Sequence, residues 1–349
     1  MVETWITNEK EITCCCRNTT VSFTNKLNDD IIRGLNTLFF MDYKTSGVDI
    51  IKGRSFVEYL KVLAPKIGGF SGMMEVPSGY EKPVLISGAD GVGTKMNICR
   101  IAHDYTTIGQ DLVDMCVNDV ICSGAKPLYF LDYVSAKSLD ANVSDIVYGI
   151  NVGCTIAGME LIGGETAEHY RQSDYDVAGF CTGLVEKNDI VNGSNIRAGD
   201  VVIGIESSGL HSNGYTLIND MLWRNYIYYK EMPELLRPTT IYARLIQYLL
   251  DEIPILGMAH ITGGGLPENL PRCLPEGLTV DVDWSSWERP ELFNKIQKAG
   301  DIAEEEMRNV FNCGIGFCLV VPKEVAEHTQ TLIADTPFGM RSWVIGEVK

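Results

Sequence analysis

Residues 83–95 read PVLISGADGVGTK, an apolar run that passes without a break into glycine, aspartate and lysine. The run 83–87 has the length and apolar character of a short strand. In the turn that follows, Gly91 and Gly93 let the backbone approach a phosphate, Thr94 and Lys95 add a hydroxyl and a point charge, and Asp90 suits a hydrated Mg²⁺. The spacing is not that of a Walker A loop, and taken alone it also describes an ordinary tight turn with an exposed lysine. Working outward, residues 107–124 place Ile108, Leu112, Met115, Cys116 and Val120 at helical spacing. PLYFLDYVS (127–135) reads as a strand, 141–159 as a helix, LIGG (161–164) as a strand end before a GGETAE turn, and 174–187 as an alternating strand. Single strands separated by helices predict a mixed α/β (α+β) fold.

The same alternation resumes after KNDIVNGSNIRAGD (187–200), a stretch rich in Asn, Gly and Asp. VVIGIES (201–207), GMAH (257–260), FNCGIGFCLVV (311–321) and SWVIGEV (342–348) read as strands, and YTLINDMLW (215–223) as a helix. PTTIYARLIQYLLDEI (238–253) reads as an amphipathic helix with Pro238 just inside its start. The 349 residues suit two domains at about 150 residues each. The predicted division is an accessory extension at 1–40, an N-terminal domain at 41–192 and a C-terminal α/β domain at 193–349.

Charge narrows the function. With 29 basic and 46 acidic side chains the net charge is −17, which excludes a general nucleic-acid or anionic-membrane binder. No apolar stretch is long enough to span a membrane, and the N-terminus lacks the pattern of a signal peptide. Eleven cysteines include the triplet Cys14–Cys16 but no CxxC pair, so buried, reduced thiols in a cytoplasmic protein are expected.

Four further motifs carry chemistry. On the helix at 108–119, Asp111, Asp114 and Asn118 share one face and Asp119 lies beside it. Like charges this close repel unless a cation or several donors compensate, so part of the cluster is a candidate metal site, with a solvated acidic face as the alternative. Glu165 in GGETAE is a further candidate for Mg²⁺ or nucleotide. The loops SSGLHSNGY (207–215) and HITGGG (260–265) combine His211 and His260 with hydroxyls and glycines suited to a phosphorylated ligand. The GxSxG of a hydrolase and a strand-borne GxGxxG are both missing.

Together the strings YKTSGVDI, IGGFSG, SGADGVGTK, IGQDLVDMCVND, GAKPLYFLDY, GGETAE, SSGLHSNGY, PTTIY, HITGGGLPENLPRCLP and FNCGIG resemble, in order, the AIR synthetase (phosphoribosylformylglycinamidine cyclo-ligase) family of purine biosynthesis. The resemblance covers the chain from about Asp42 to Lys349. It implies a homodimer in which N-terminal-domain strands form a barrel with those of a second subunit. It implies ATP- and Mg²⁺-dependent ring closure of formylglycinamidine ribonucleotide to aminoimidazole ribonucleotide. By matched motif, Asp90, Asn118, Asp119 and Glu165 form the metal and nucleotide group, and Gly91, Gly93, Thr94 and Lys95 serve the ATP phosphates. Lys95 and Asp119 count among the catalytic candidates. Ser208, His211, Ser212 and Asn213 face the substrate, with His211 the candidate for proton transfer, and Thr262, Gly263, Gly264 and Gly265 bind phosphate or substrate. The sequence departs from the family pattern in the short link HYRQS (169–173), at Asp114 where the family has a small apolar residue, and in residues 1–40. Sister ATP-dependent phosphotransferases of the same fold, or a non-catalytic paralogue, are the alternatives; SSGLHSNGY and HITGGGLPENLPRCLP favour the cyclo-ligase.

Overall fold

In the computed structural model, residues 49–169 and 174–349 are described; the extension 1–40, the cysteine triplet and most of the HYRQS link lie outside them. Gly47–Lys349 forms one compact unit containing two sheets. Asp49 opens the first helix, α1 (Ile50–Leu63), by accepting from the N–H groups of Ile51 and Lys52.

The first sheet has strand order β1-β4-β2-β3, built from β1 (Pro83–Gly91), β2 (Lys126–Ala136), β3 (Glu160–Glu168) and β4 (Asp176–Glu186). β4 runs antiparallel to both β1 and β2, whereas β2 and β3 are parallel and joined through a helix, as a parallel crossover requires. Short α2 (Met96–Ala102), then α3 (Ile108–Ile121) and α4 (Ala141–Ala157), complete this half. α3 and α4 approach so closely that a Cβ on Gly109 would sit 2.1 Å from the Ile146 carbonyl oxygen and 2.3 Å from the Ile150 nitrogen. α3 is therefore buried almost all round, with Leu112, Val113, Val117 and Ile121 wholly inaccessible.

The second sheet is wholly antiparallel, with order β6-β8-β5-β9-β7. Its strands are β5 (Val201–Glu206), β6 (Gly257–His260), β7 (Val280–Val282), β8 (Ile315–Val321) and β9 (Ser342–Val348), accompanied by α5 (Tyr215–Trp223), α6 (Ala243–Glu252), α7 (Gly265–Asn269), α8 (Glu291–Gly300), α9 (Glu304–Val310) and α10 (Ala326–Asp335). β8 is buried at every residue, as a central strand covered on both faces must be.

Two local expectations are corrected. GGETAE is not a turn: all six residues continue β3 alongside β2, from Leu131 to Ala136. Pro238 does not start a helix: α6 begins at Ala243, because the backbone N–H groups of Thr239 and Tyr242 are taken by side chains of α3, as described below. The described cysteines are free thiols, all buried except the half-buried Cys122 and Cys273. Among the described residues no helix is long and apolar enough to cross a membrane.

Candidate functional site

The end of β1, the last turn of α3 and the end of β6 meet at one mouth. β1 delivers Asp90, whose carboxylate accepts the Gly91 N–H at 2.7 Å. α3 delivers Asp119, about half exposed, and β6 delivers His260, buried, whose Nδ1 lies 2.9 Å from Asp119 Oδ1. The Asp90 carboxyl is held above its usual range, first by partial burial and then by the charge of Asp119; the Gly91 N–H and His260 oppose that shift. Two neighbouring carboxylates at an open mouth are oxygen donors of the kind that a hard cation takes. Among the described residues no group of three or more His, Cys, Asp or Glu side chains could hold a metal by itself. One or two carboxylates with substrate phosphates is nevertheless the usual Mg²⁺ arrangement. Gly91 ends β1, and exposed Gly93 has open space where a side chain would stand. Thr94 is exposed, and its hydroxyl lies 3.3 Å from that of Thr216.

Lys95 does not point into this mouth. Its ammonium is fully buried, 2.8 Å from Asp111 Oδ1 and 2.9 Å from both the His211 and Arg237 carbonyl oxygens. All three of its protons are therefore engaged inside the fold. This corrects the expectation of a phosphate-binding lysine: here it ties α3 to the second half of the chain.

The polar face of α3 is likewise internal. Asp111 Oδ1 also accepts from the Thr239 N–H at 2.8 Å and hydroxyl at 2.6 Å. Asn118 donates to the Thr240 carbonyl at 2.9 Å and to Asp114, and accepts from the Tyr242 N–H at 3.1 Å. With its amide so occupied and no exposure, Asn118 is not available as a metal ligand. Asp114 is fully buried and its carboxyl is pushed well above the usual range, chiefly by desolvation and then by Asp111. The acidic cluster thus compensates its repulsion with the Lys95 ammonium and with donors from residues 239–242.

The Ser/His loop follows β5. Ser208 donates to the Pro238 carbonyl at 2.7 Å, and the Ser212 hydroxyl lies 3.1 Å from that of Thr239. Ser207, Ser208 and exposed Arg237 line an open pocket of about 460 Å³ beside this loop. His211 is in the left-handed region (φ 61°) and 1% exposed; its Nε2 accepts the Ser208 N–H at 3.2 Å. Asn213 approaches Gly263 with its Oδ1, and its Nδ2 is buried and unpartnered. The glycine loop is braced from within by Asn269, which donates to the carbonyls of Gly263 (3.1 Å) and Gly265 (2.8 Å), while Thr262 faces its Oδ1 at 3.3 Å. Gly265 is dictated by packing, since a Cβ there would meet the Arg308 carbonyl oxygen at 2.1 Å; Gly263 remains exposed and Gly264 half-buried.

Glu165 lies elsewhere. The register Asp90–Gly179–Asp132–Gly164 crosses three strand spacings, so Glu165, next to Gly164, stands roughly 14 Å from Asp90 within the chain. It borders an open groove of about 950 Å³ lined by Gly68–Met74, Tyr129, Asp132, Tyr133 and Phe180. Asp132 is buried there, its carboxyl pushed up to about 7 by desolvation, with Glu165 adding to the rise. The sequence reading missed Asp132, Arg237, Thr239 and Asn269. PTTIY was visible as a motif; Asp132, inside an apolar strand, was the one buried-acid signal available.

Comparison with known proteins follows the same outline. Residues 74–185 match the family model for the N-terminal domain of AIR synthase related proteins, and residues 197–349 match that for the C-terminal domain. The chain is 49% identical over 331 residues to the phosphoribosylformylglycinamidine cyclo-ligase of Synechococcus sp. (strain CC9902), covering 88% of this chain and 95% of that protein. It is 47% identical over 332 residues to the enzyme of that name from Prochlorococcus marinus (strain MIT 9211), covering 88% and 96%. Among solved structures, hydrogenase maturation protein HypE in complex with ATP shares the fold, with a TM-score of 0.60 at 17% identity over 80% of each chain.

Proposed function

The chain belongs to the AIR synthase family, and from that premise we propose that it closes the imidazole ring of formylglycinamidine ribonucleotide, consuming ATP and releasing aminoimidazole ribonucleotide, ADP and phosphate. The observation that carries the reading is the convergence of Asp90 and Asp119, from motifs distant in sequence, at the mouth of the Gly91–Thr94 turn. An amide-type oxygen is a poor leaving group, and phosphoryl transfer from ATP makes it a good one; the protein's part is to hold the reactants in line and balance charge. Asp90 and Asp119 would hold Mg²⁺, which supplies charge neutralisation for the transferred phosphoryl group. Thr94 and the open backbone at Gly93 offer contacts to phosphate. Ser212, Asn213 and the Thr262–Gly264 loop offer hydroxyl, amide and backbone donors to the ribonucleotide, Ser208 offers the lone pairs of its hydroxyl, and the unpartnered Asn213 Nδ2 supports this assignment. Glu165 and the Gly68–Gly72 loop border a groove large enough for a nucleoside. Exposed Leu85 and Phe180 on the first sheet support a homodimer, and the chemistry suits the cytoplasm.

The test is a turnover assay with formylglycinamidine ribonucleotide, ATP and Mg²⁺ that follows imidazole product and ADP together. One-to-one formation, lost in Asp119→Ala, is the expected result. ADP without imidazole product would instead assign a sister phosphotransferase.

A further inference from the structure

One buried side chain holds the glycine turn that leaves β6. Asn269, the last residue of α7 and 2% exposed, donates through Nδ2 to the carbonyls of Gly265 at 2.8 Å, Gly263 at 3.1 Å and Thr262 at 3.4 Å. Its Oδ1 accepts from the Thr262 hydroxyl at 3.3 Å and from Arg272 Nη1 at 3.2 Å. Acceptors at one end and donors at the other fix which way the amide faces. The Gly265 N–H closes the turn on the Thr262 carbonyl at 3.1 Å, and Gly264 takes the left-handed conformation (φ 90°) that such a turn requires of its third residue.

Fixing the carbonyls also fixes the other edge of each peptide. The peptide bonds here are trans, so each N–H points opposite to the carbonyl of the residue before it. With the Thr262 and Gly263 carbonyls turned in to Asn269, the N–H groups of Gly263 and Gly264 are turned away from it. Among the described residues neither of these two N–H groups has an acceptor, and Gly263 is exposed. Asn213, whose Nδ2 is buried and unpartnered, reaches Gly263 with Oδ1 3.6 Å from where a Cβ would stand. The carboxylate of exposed Glu268 rests against Gly264, where a Cβ would collide with Oε2. Two open donors beside a carboxylate disfavour a phosphate, which that charge repels, and suit a carbonyl or hydroxyl oxygen.

Building on the proposed ring closure, on whose substrate it rests, we propose that Asn269 is the positioning residue of this turn and that the Gly263 and Gly264 N–H groups it presents receive an uncharged oxygen of the ribonucleotide. Asn269 touches no ligand itself; it acts by holding three carbonyls inward, so that both donors face out before the ligand arrives and little ordering is left for binding to do. The turn follows directly on His260, which meets Asp119 at the mouth, so an oxygen seated on it belongs to a ligand that reaches the mouth.

The test reads the full-length parent first. With ¹⁵N-labelled glycine, of which the chain has 34, saturating formylglycinamidine ribonucleotide should shift the Gly263 and Gly264 amide signals and slow their exchange, whereas inorganic phosphate should leave both in place. In Asn269→Asp a carboxylate replaces the donor amide and faces the same three carbonyls. Calorimetry on that variant should show the Kd for the ribonucleotide raised about 10- to 100-fold, one or two hydrogen bonds' worth, with the Kd for ADP within about two-fold of the parent. A parent that binds the ribonucleotide with both glycine signals unmoved, or whose signals move with inorganic phosphate, overturns the assignment of the turn. An Asn269→Asp protein that keeps its ribonucleotide affinity, or loses ADP affinity in equal measure, overturns the role of Asn269. A parent that binds no ribonucleotide in the calorimeter refutes the proposed function and the assignment with it, a result distinct from the others. The parent signals are read without any substitution, so a variant that fails to fold leaves the test intact.

Discussion

Replacing Lys95 with methionine distinguishes a lysine that holds the fold from one that holds a phosphate. Methionine keeps most of the side-chain volume, so little cavity is created and the effect isolates the ammonium. Its removal deprives Asp111 of its countercharge, leaving only the two Thr239 donors at 2.8 and 2.6 Å. The His211 and Arg237 carbonyls lose their 2.9 Å donor as well. Both members of the pair are fully buried, and breaking such a pair from one side costs about 3–5 kcal/mol. At about 2 °C per kcal/mol for a chain of this size, the melting temperature falls by about 6–10 °C. Thermal melting followed by circular dichroism, with urea unfolding as a check that the m-value is unchanged, reads the loss. Lys95→Met/Asp111→Asn should recover part of it, because no uncompensated charge then remains inside. A Lys95→Met protein that melts within about 1 °C of the parent while its KM for ATP rises steeply would refute the buried ion pair. It would return Lys95 to the phosphate site.

Other outcomes follow from the same geometry. Asp119→Asn should lower kcat by roughly 10²-fold and raise the Mg²⁺ concentration needed for half-maximal rate; an unchanged Mg²⁺ dependence would remove Asp119 from the cation site. Asp132 holds its proton to about pH 7 when folded and to about pH 4 when unfolded, so the folded state binds more protons in between. Stability therefore falls as pH rises through that window, by at most about 4 kcal/mol, and Asp132→Asn should flatten the decline in urea titrations at pH 5 and 8; parallel slopes in parent and variant would contradict this. Gly109→Ala drives a methyl into the α4 backbone and should cost about 1–3 kcal/mol or more, whereas wild-type stability in that variant would mean that α3 and α4 are not in backbone contact.

Most strands were legible as short apolar runs, as at Val201–Glu206 and Ile315–Val321, whereas the three-residue edge strand Val280–Val282, with an aspartate at its centre, was not. α3 was legible from its period, to within three residues at either end. GGETAE misled because paired glycines usually mark turns, whereas here Gly164 leaves room for the Asp132 carboxylate, which a Cβ would meet at 1.9 Å. Lys95 misled for a related reason: a lysine after two glycines carries no sign of what its long side chain will meet. Its partners Asp111, His211 and Arg237 are set by tertiary packing. The pairing of Asp119 with His260 joins two motifs that were each visible, but only the fold makes them neighbours.

Residues 237–242 belong in sequence to the second half, yet Lys95, Asp111 and Asn118 of the first half all bond to that stretch. Were the chain cut near residue 192, the N-terminal fragment would expose a lysine, two aspartates and an asparagine shaped to grip a strap that is no longer attached. The C-terminal fragment would carry the strap with nothing to close on. The two sheets are therefore one cooperative piece, and denaturation should remove both together in a single transition.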